Sequence, residues 1–229
     1  MTQIECKSLT LGYGNITVKE DISFSIEKGD YLCIIGENGC GKSTLMKTIL
    51  GLLSPIEGEI ILSDGIKKRD IGYLPQQTQL QRDFPASVKE VIMSGFLNKS
   101  GLNPFYTKAQ KAKFKSIIQR LKIEDLEKRC YRELSGGQQQ KVLLARALCA
   151  TDKIILLDEP VAALDPNASE EFYNLITDIN TSGTTVIMIS HDVKEAIKYA
   201  TKILCLDSPC FFGSKSEYLE MTKRGEQND

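Results

Sequence analysis

The stretch Gly36-Glu37-Asn38-Gly39-Cys40-Gly41-Lys42-Ser43-Thr44 constrains this chain more than any other. It follows an apolar run, Tyr31-Leu32-Cys33-Ile34-Ile35, and precedes a helical pattern, Leu45-Met46-Lys47-Thr48-Ile49-Leu50. Glycines, a lysine and a serine therefore fall in a strand-to-helix turn, the context in which G-x-x-x-x-G-K-[ST] binds phosphate rather than merely turning the chain. In such a loop backbone N–H groups surround the anion, Lys42 reaches the β and γ oxygens, and Ser43 ligates Mg²⁺. Glycine allows close backbone approach with φ values that a side chain would forbid. The helix starting near Gly41 adds unpaired N–H groups and the positive end of its dipole.

At 229 residues the chain is long enough to bury a real core, and 41% hydrophobic with 26% charged residues is ordinary for a globular protein. Lys plus Arg (29) nearly balance Asp plus Glu (30), so there is no broad basic field and no nucleic-acid partner is expected. No apolar stretch approaches the ~18 residues that span a bilayer. Met1-Thr2-Gln3-Ile4-Glu5 lacks the basic and apolar regions of a signal peptide, so the chain is expected to stay in the cytosol. Seven cysteines, at 6, 33, 40, 130, 149, 205 and 210, form no C-x-x-C pair and read as reduced thiols. Cys205 and Cys210 are either metal ligands or plainly packed; a single His in the chain and the apolar run around Cys205 favour packing.

Residues 4 to 11 and 16 to 26 carry the alternation of half-buried antiparallel strands, Ile4/Cys6 and then Ile22/Phe24/Ile26. Tyr13, between Gly12 and Gly14, is either a turn aromatic or a ring placed to stack on a base, and spacing leaves both open. Gly51 and Pro55 end the first helix, and Glu59 to Leu62 followed by Asp64-Gly65 predict a strand and turn. Asp70 to Leu74 is a further strand, ending at Pro75-Gln76-Gln77. Gln76, at the strand end where α/β sheets place ligands, either reaches Mg²⁺ or water or is a solvated amide. From 87 to 150 strand patterns vanish. Ser87 to Phe96 and Lys108 to Leu121 have helical spacing, separated by Asn103-Pro104, which predicts an inserted helical lobe.

Leu134-Ser135-Gly136-Gly137-Gln138-Gln139-Gln140 opens the last helix of that lobe. Ser135 and Gln138 match a capping box, which explains both without function. Gly136-Gly137 is not so explained, because glycine in a first turn costs up to ~1 kcal/mol relative to Ala. Bare N–H groups facing an anion would account for it, so the turn is a second candidate phosphate site. Ile154 to Leu157 is a continuous apolar strand delivering Asp158-Glu159 to its C-terminal end. Asp158 fits a Mg²⁺-side carboxylate, and Glu159 can orient or deprotonate a water. Thr185 to Ile189 is another buried strand, with His191 just beyond it on the predicted catalytic edge. Residues 202 to 207 are predicted to be the last strand, and the tail from 219 on is predicted to fray.

The phosphate loop, Gln76, Leu134 to Gln138, Leu157-Asp158-Glu159-Pro160, Ala163-Leu164-Asp165 and His191, in that order, resemble an ATP-binding cassette ATPase over essentially the whole length. The resemblance implies one α/β domain over 1–229: a P-loop NTPase core with a mainly parallel sheet, an N-terminal antiparallel β subdomain, and an inserted α-helical subdomain. The core lobe would comprise 1–86 and 151–229, and the helical lobe 87–150. It implies ATP and Mg²⁺ as cofactors and a head-to-tail homodimer on ATP binding, each ATP lying between the 36–44 loop of one subunit and Ser135, Gly136, Gly137 and Gln138 of the other. Residue by residue, Tyr13 would stack on adenine, Lys42 and Ser43 take phosphate and Mg²⁺, Gln76 and Asp158 serve the metal, and Gln76 sense the site. Glu159 would be the base, His191 the γ-phosphate contact, and Asp165 a link across the dimer. Cys40 stands where the family often has Ser, and Lys141 where Arg usually follows the glutamines. With few residues following the helix after His191, no added regulatory domain is expected.

An energy-coupling subunit of this family would sit peripherally at the cytoplasmic face of the cell membrane, bound to an integral membrane permease and, through it, indirectly to a substrate-binding protein. The groove for the permease would lie between Gln76 and the helical lobe. There, Tyr73-Leu74-Pro75-Gln76, Phe84 to Gly95 and Asn103-Pro104-Phe105 look like the corresponding segments of zinc and manganese importers. The expected cargo is zinc, then manganese or iron, with a non-metal transporter as the broader alternative. A soluble cassette acting on ribosomes or nucleic acid usually has two cassettes or basic arms, and a small-molecule P-loop kinase leaves Leu134 to Gln138 unexplained.

Overall fold

The computed structural model describes residues 1–63, 65–76, 85–97 and 105–226, with side chains of the final helix described through residue 223. Asp64 of the expected turn, Gln77, Phe84 and Asn103-Pro104 lie outside the described residues. In chain order the strands and helices begin with β1 (Thr2–Tyr13), β2 (Ile16–Glu27), β3 (Tyr31–Ile35), α1 (Lys42–Ile49), β4 (Glu57–Leu62) and β5 (Ile71–Leu74). There follow α2 (Val88–Met93), α3 (Lys108–Arg120), α4 (Gly136–Ala150), β6 (Ile154–Asp158) and α5 (Pro166–Thr181). The chain continues through β7 (Thr185–Ile189), α6 (Val193–Tyr199), β8 (Lys202–Cys205), β9 (Phe211–Ser214) and α7 (Lys215–Glu226). None of these helices is long and apolar enough to cross a membrane, among the described residues.

The fold is mixed α/β, with two compact units: Met1–Lys68 together with Thr185–Asp229, and Arg69–Thr184. In the first unit β1 pairs antiparallel with both β2 and β4, and Cys6 opposes Phe24 on one side and Ile60 on the other. The alternation read from Ile4, Cys6, Ile22, Phe24 and Ile26 is realised as buried side chains on one face. In the same unit β3 lies between β7 and β8, parallel to both, and β9 closes antiparallel on β8. Every residue of β3 and β7 is buried, as an apolar run covered on both faces requires.

In the second unit β5 and β6 are parallel, with Tyr73 opposite Leu156. Gly72 lets β5 press against α4, since a Cβ there would stand 2.4 Å from the Ala147 carbonyl oxygen. Capping boxes start α2 (Ser87 with Glu90), α3 (Thr107 with Gln110) and α4 (Ser135 with Gln138). The buried stripe Phe172, Tyr173, Ile176 and Ile179 on α5 has helical period.

Three local expectations are corrected. Tyr13 is the last residue of β1 rather than part of the turn, because its strand pairs with Ile16 to the very end. Strand β8 stops at Cys205 and is followed by β9, whose Phe212 opposes Leu204. The tail from 219 is helical to Glu226 rather than frayed, and the Tyr218 ring of that helix lies 5.5 Å from that of Phe211, tilted by 56°, an aromatic anchor that polar composition alone concealed.

Candidate functional site

In the first unit the buried strand β3 ends at Ile35 and the chain turns through 36–41 into α1. Gly36 has φ 145° and Gly41 φ 105°, both left-handed, and a Cβ on Gly36 would stand 2.7 Å from Cys40 Sγ. Only glycine fits there. No side chain caps α1, so its first N–H groups and the positive end of its dipole are left for a ligand. Lys42 is 6% exposed, and its ammonium donates to the carbonyls of Gly36 and Glu37 at 2.7 Å each, with Cys40 Sγ at 3.9 Å. Ser43 is exposed and Thr44 buried. A loop of this shape, with a fixed cation and free N–H groups, fits a polyphosphate.

Tyr13 stays 45% exposed while its hydroxyl meets Thr44 Oγ1 and Lys47 Nζ at 3.4 Å each. The Thr44 hydrogen bond, and then Lys47, hold that phenol below its ordinary pKa. The ring is thus tied to the helix that follows the loop and keeps surface for stacking. His191 follows β7 as an exposed residue, its carbonyl accepting from Val193 N at 3.1 Å, while Asp192 caps α6 through Glu195 N at 3.1 Å.

In the second unit β6 delivers Asp158, 9% exposed, within 3.4 Å of the Tyr73 hydroxyl. Burial and then the Asp158 charge push the Tyr73 phenol up to about 12, so it remains a donor at neutral pH. The next residue, Glu159, takes φ 48°, a left-handed conformation uncommon for a residue with a side chain. Its Oε2 accepts from Gln76 Nε2 at 2.8 Å. The structure thus brings Gln76 together with Glu159, and Asp158 with Tyr73. An acid beside a metal-type carboxylate, each held by a neutral donor, can orient and deprotonate water.

Ser135 Oγ accepts from Gln138 N at 3.3 Å, and Gln138 Oε1 accepts from Ser135 N at 3.1 Å. A Cβ added at Gly136 or Gly137 meets nothing nearer than 3.6 Å, so neither packing nor backbone conformation requires glycine at either position. Asp165 caps α5 by accepting from Ala168 N at 3.0 Å. Lys141 pairs with Glu171 at 2.7 Å.

Two residues near the loop carried no sequence signal. Asp207 Oδ1 accepts from Glu37 N at 2.8 Å, and Lys19 Nζ donates to Asp207 O at 3.5 Å and Ser208 Oγ at 3.2 Å. Tyr73 carried no sequence signal as a partner of Asp158. Among the described residues no group of three or more His, Cys, Asp or Glu could hold a metal ion; Cys205 is buried on β8 and Cys210 exposed.

The ABC transporter family profile matches residues 19–162. The manganese transport system ATP-binding protein MntB of Bacillus subtilis is 38% identical over 90% of this chain and 84% of its own length. The zinc uptake system ATP-binding protein ZurA of Listeria innocua is 35% identical over 94% of this chain and 87% of its own. Among solved structures, an ABC transporter described as metal-chelate type, in an inward-facing conformation, is 30% identical with a TM-score of 0.84, covering 95% of this chain and 85% of that one. Matches of this extent place the chain in the ABC transporter family, as an ATPase subunit.

Proposed function

We propose that this ATPase powers import of a divalent metal ion, zinc or manganese, through a membrane permease. The observation that carries this is similarity along nine-tenths of the chain to subunits named for manganese and zinc uptake. The metal is cargo: it would cross the permease and never bind this chain. The subunit would lie peripherally on the cytoplasmic face of the membrane, as one 1–229 domain with core segments 1–86 and 151–229 and a helical lobe over 87–150.

Within the ATPase cycle, Gly36, Glu37, Asn38, Gly39, Cys40, Gly41 and Thr44 shape the loop that binds phosphate, and Lys42 exchanges its loop carbonyls for β and γ oxygens. Tyr13 offers its ring to adenine. Ser43, Asp158 and Gln76 are assigned to Mg²⁺, which when bound supplies positive charge that offsets the developing charge on the transferred group. Glu159 accepts the proton of the attacking water, and His191 contacts the γ-phosphate. Ser135, Gly136, Gly137 and Gln138 serve the ATP held by a second copy, with Asp165 linking the two. The substrate-binding protein is reached only through the permease.

Deleting the gene and measuring cellular zinc, manganese and iron under chelation tests the cargo. Loss of zinc or manganese uptake supports the assignment. Normal uptake of all three, with a defect for another solute, overturns the metal reading and leaves the ATPase standing.

A further inference from the structure

We infer that Asp207 is a positioning residue for the nucleotide site, acting on one peptide group of the phosphate loop and through it on Lys42; this rests on the 36–44 loop being the ATP site. The Gly36 carbonyl accepts from Lys42 Nζ at 2.7 Å, and the N–H of the same peptide group, that of Glu37, donates to Asp207 Oδ1 at 2.8 Å. Because a peptide group is planar and rigid, fixing its N–H fixes the direction of its C=O. Asp207 therefore sets the direction of one of the two carbonyls that hold the Lys42 ammonium, the other being that of Glu37.

The loop needs this help. Gly36 has φ 145° and no side chain, so rotation of the following peptide meets little steric resistance from the residue itself. The walls are supplied from outside: the position of a Cβ on Gly36 lies 2.7 Å from Cys40 Sγ and 3.1 Å from Asp207 Oδ1. Asp207 is itself braced. Its Oδ2 lies 3.6 Å from the thiol of Cys205 on buried β8, and its carbonyl accepts from Lys19 at 3.5 Å. The 170-residue separation between Glu37 and Asp207 makes the contact a property of the fold rather than of the motif.

A carboxylate facing a loop built for phosphate also opposes the incoming charge, so its contribution there is acceptor geometry rather than attraction to ligand. Asparagine keeps an acceptor oxygen of the same shape and removes the charge. Asp207→Ala and Asp207→Asn in the full chain separate the two.

The Ala variant is expected to weaken MgATP binding about tenfold, the weight of one hydrogen bond, with kcat at saturation within about twofold of the parent. Hydrogen exchange at the Glu37 amide should quicken in Ala only, and the Asn variant should bind MgATP as tightly as the parent or more so. Unchanged affinity in Ala, or Asn as weak as Ala at an equal melting temperature, overturns the proposal. Lys42→Ala run in parallel keeps the cases apart: if it binds MgATP like the parent, the loop assignment fails; if it does not, the Asp207 results stand alone.

Discussion

Gln76 donates from Nε2 to Glu159 Oε2 across 2.8 Å, and Glu159 holds φ 48° at the end of β6. The amide thus holds one carboxylate oxygen of a residue in a left-handed conformation. A glutamate oriented in this way should lose efficiency when the amide is removed. Gln76→Ala is expected to lower kcat about tenfold at saturating MgATP, read by steady-state ATPase assay; a parental kcat would show that the amide does not orient the glutamate.

Glu159→Gln keeps the shape and removes the base. Turnover should fall roughly 10²- to 10⁴-fold while MgATP binding persists, and sizing chromatography with MgATP should show a dimer. A variant that binds MgATP yet stays strictly monomeric would count against the paired arrangement.

Lys42→Ala removes a 6% exposed ammonium whose present partners are two loop carbonyls. Nucleotide binding should be abolished, because a fixed charge beside the β and γ oxygens is lost. Titration with a fluorescent nucleotide checks this, and parental ATPase activity would refute the loop assignment.

Gly137→Ala sets stability against function. Its Cβ would meet only the Ala168 methyl at 3.6 Å, and alanine favours a helix over glycine by up to ~1 kcal/mol, so thermal melting should hold or rise. ATPase activity should fall, since the added methyl stands over N–H groups assigned to phosphate. Unaltered activity would remove this turn from the site.

The thiols differ sharply in reach. Burial pushes Cys6, Cys33 and Cys149 up to about 12, so they should resist alkylation at pH 8 in the folded chain. Cys40 is only half-buried, within the phosphate loop. Iodoacetamide is expected to label Cys40 and inactivate the enzyme, with prior MgATP blocking both, as followed by peptide mass spectrometry. Equal Cys40 labelling with and without ATP would sink this.

The sequence by itself determined whatever depends on near neighbours. The apolar run into Gly36-x-x-x-x-Gly41-Lys42-Ser43 fixed a strand, a turn and a helix, and Ser135-x-x-Gln138 fixed a cap, because both are closed by hydrogen bonds within a few residues. The order of those pieces also carried the family. Tertiary structure alone decided the long-range partners: Gln76 with Glu159 across 83 residues, Tyr73 with Asp158 across 85, and Asp207 with Glu37 across 170. No periodicity encodes such pairs, since each depends on the register in which separate strands and loops meet. The order at the end of the chain has a related origin. The helix Lys215–Glu226 is polar in composition, and Tyr218 on it meets Phe211 of β9, which itself pairs with β8, so its anchor is a contact between separate elements.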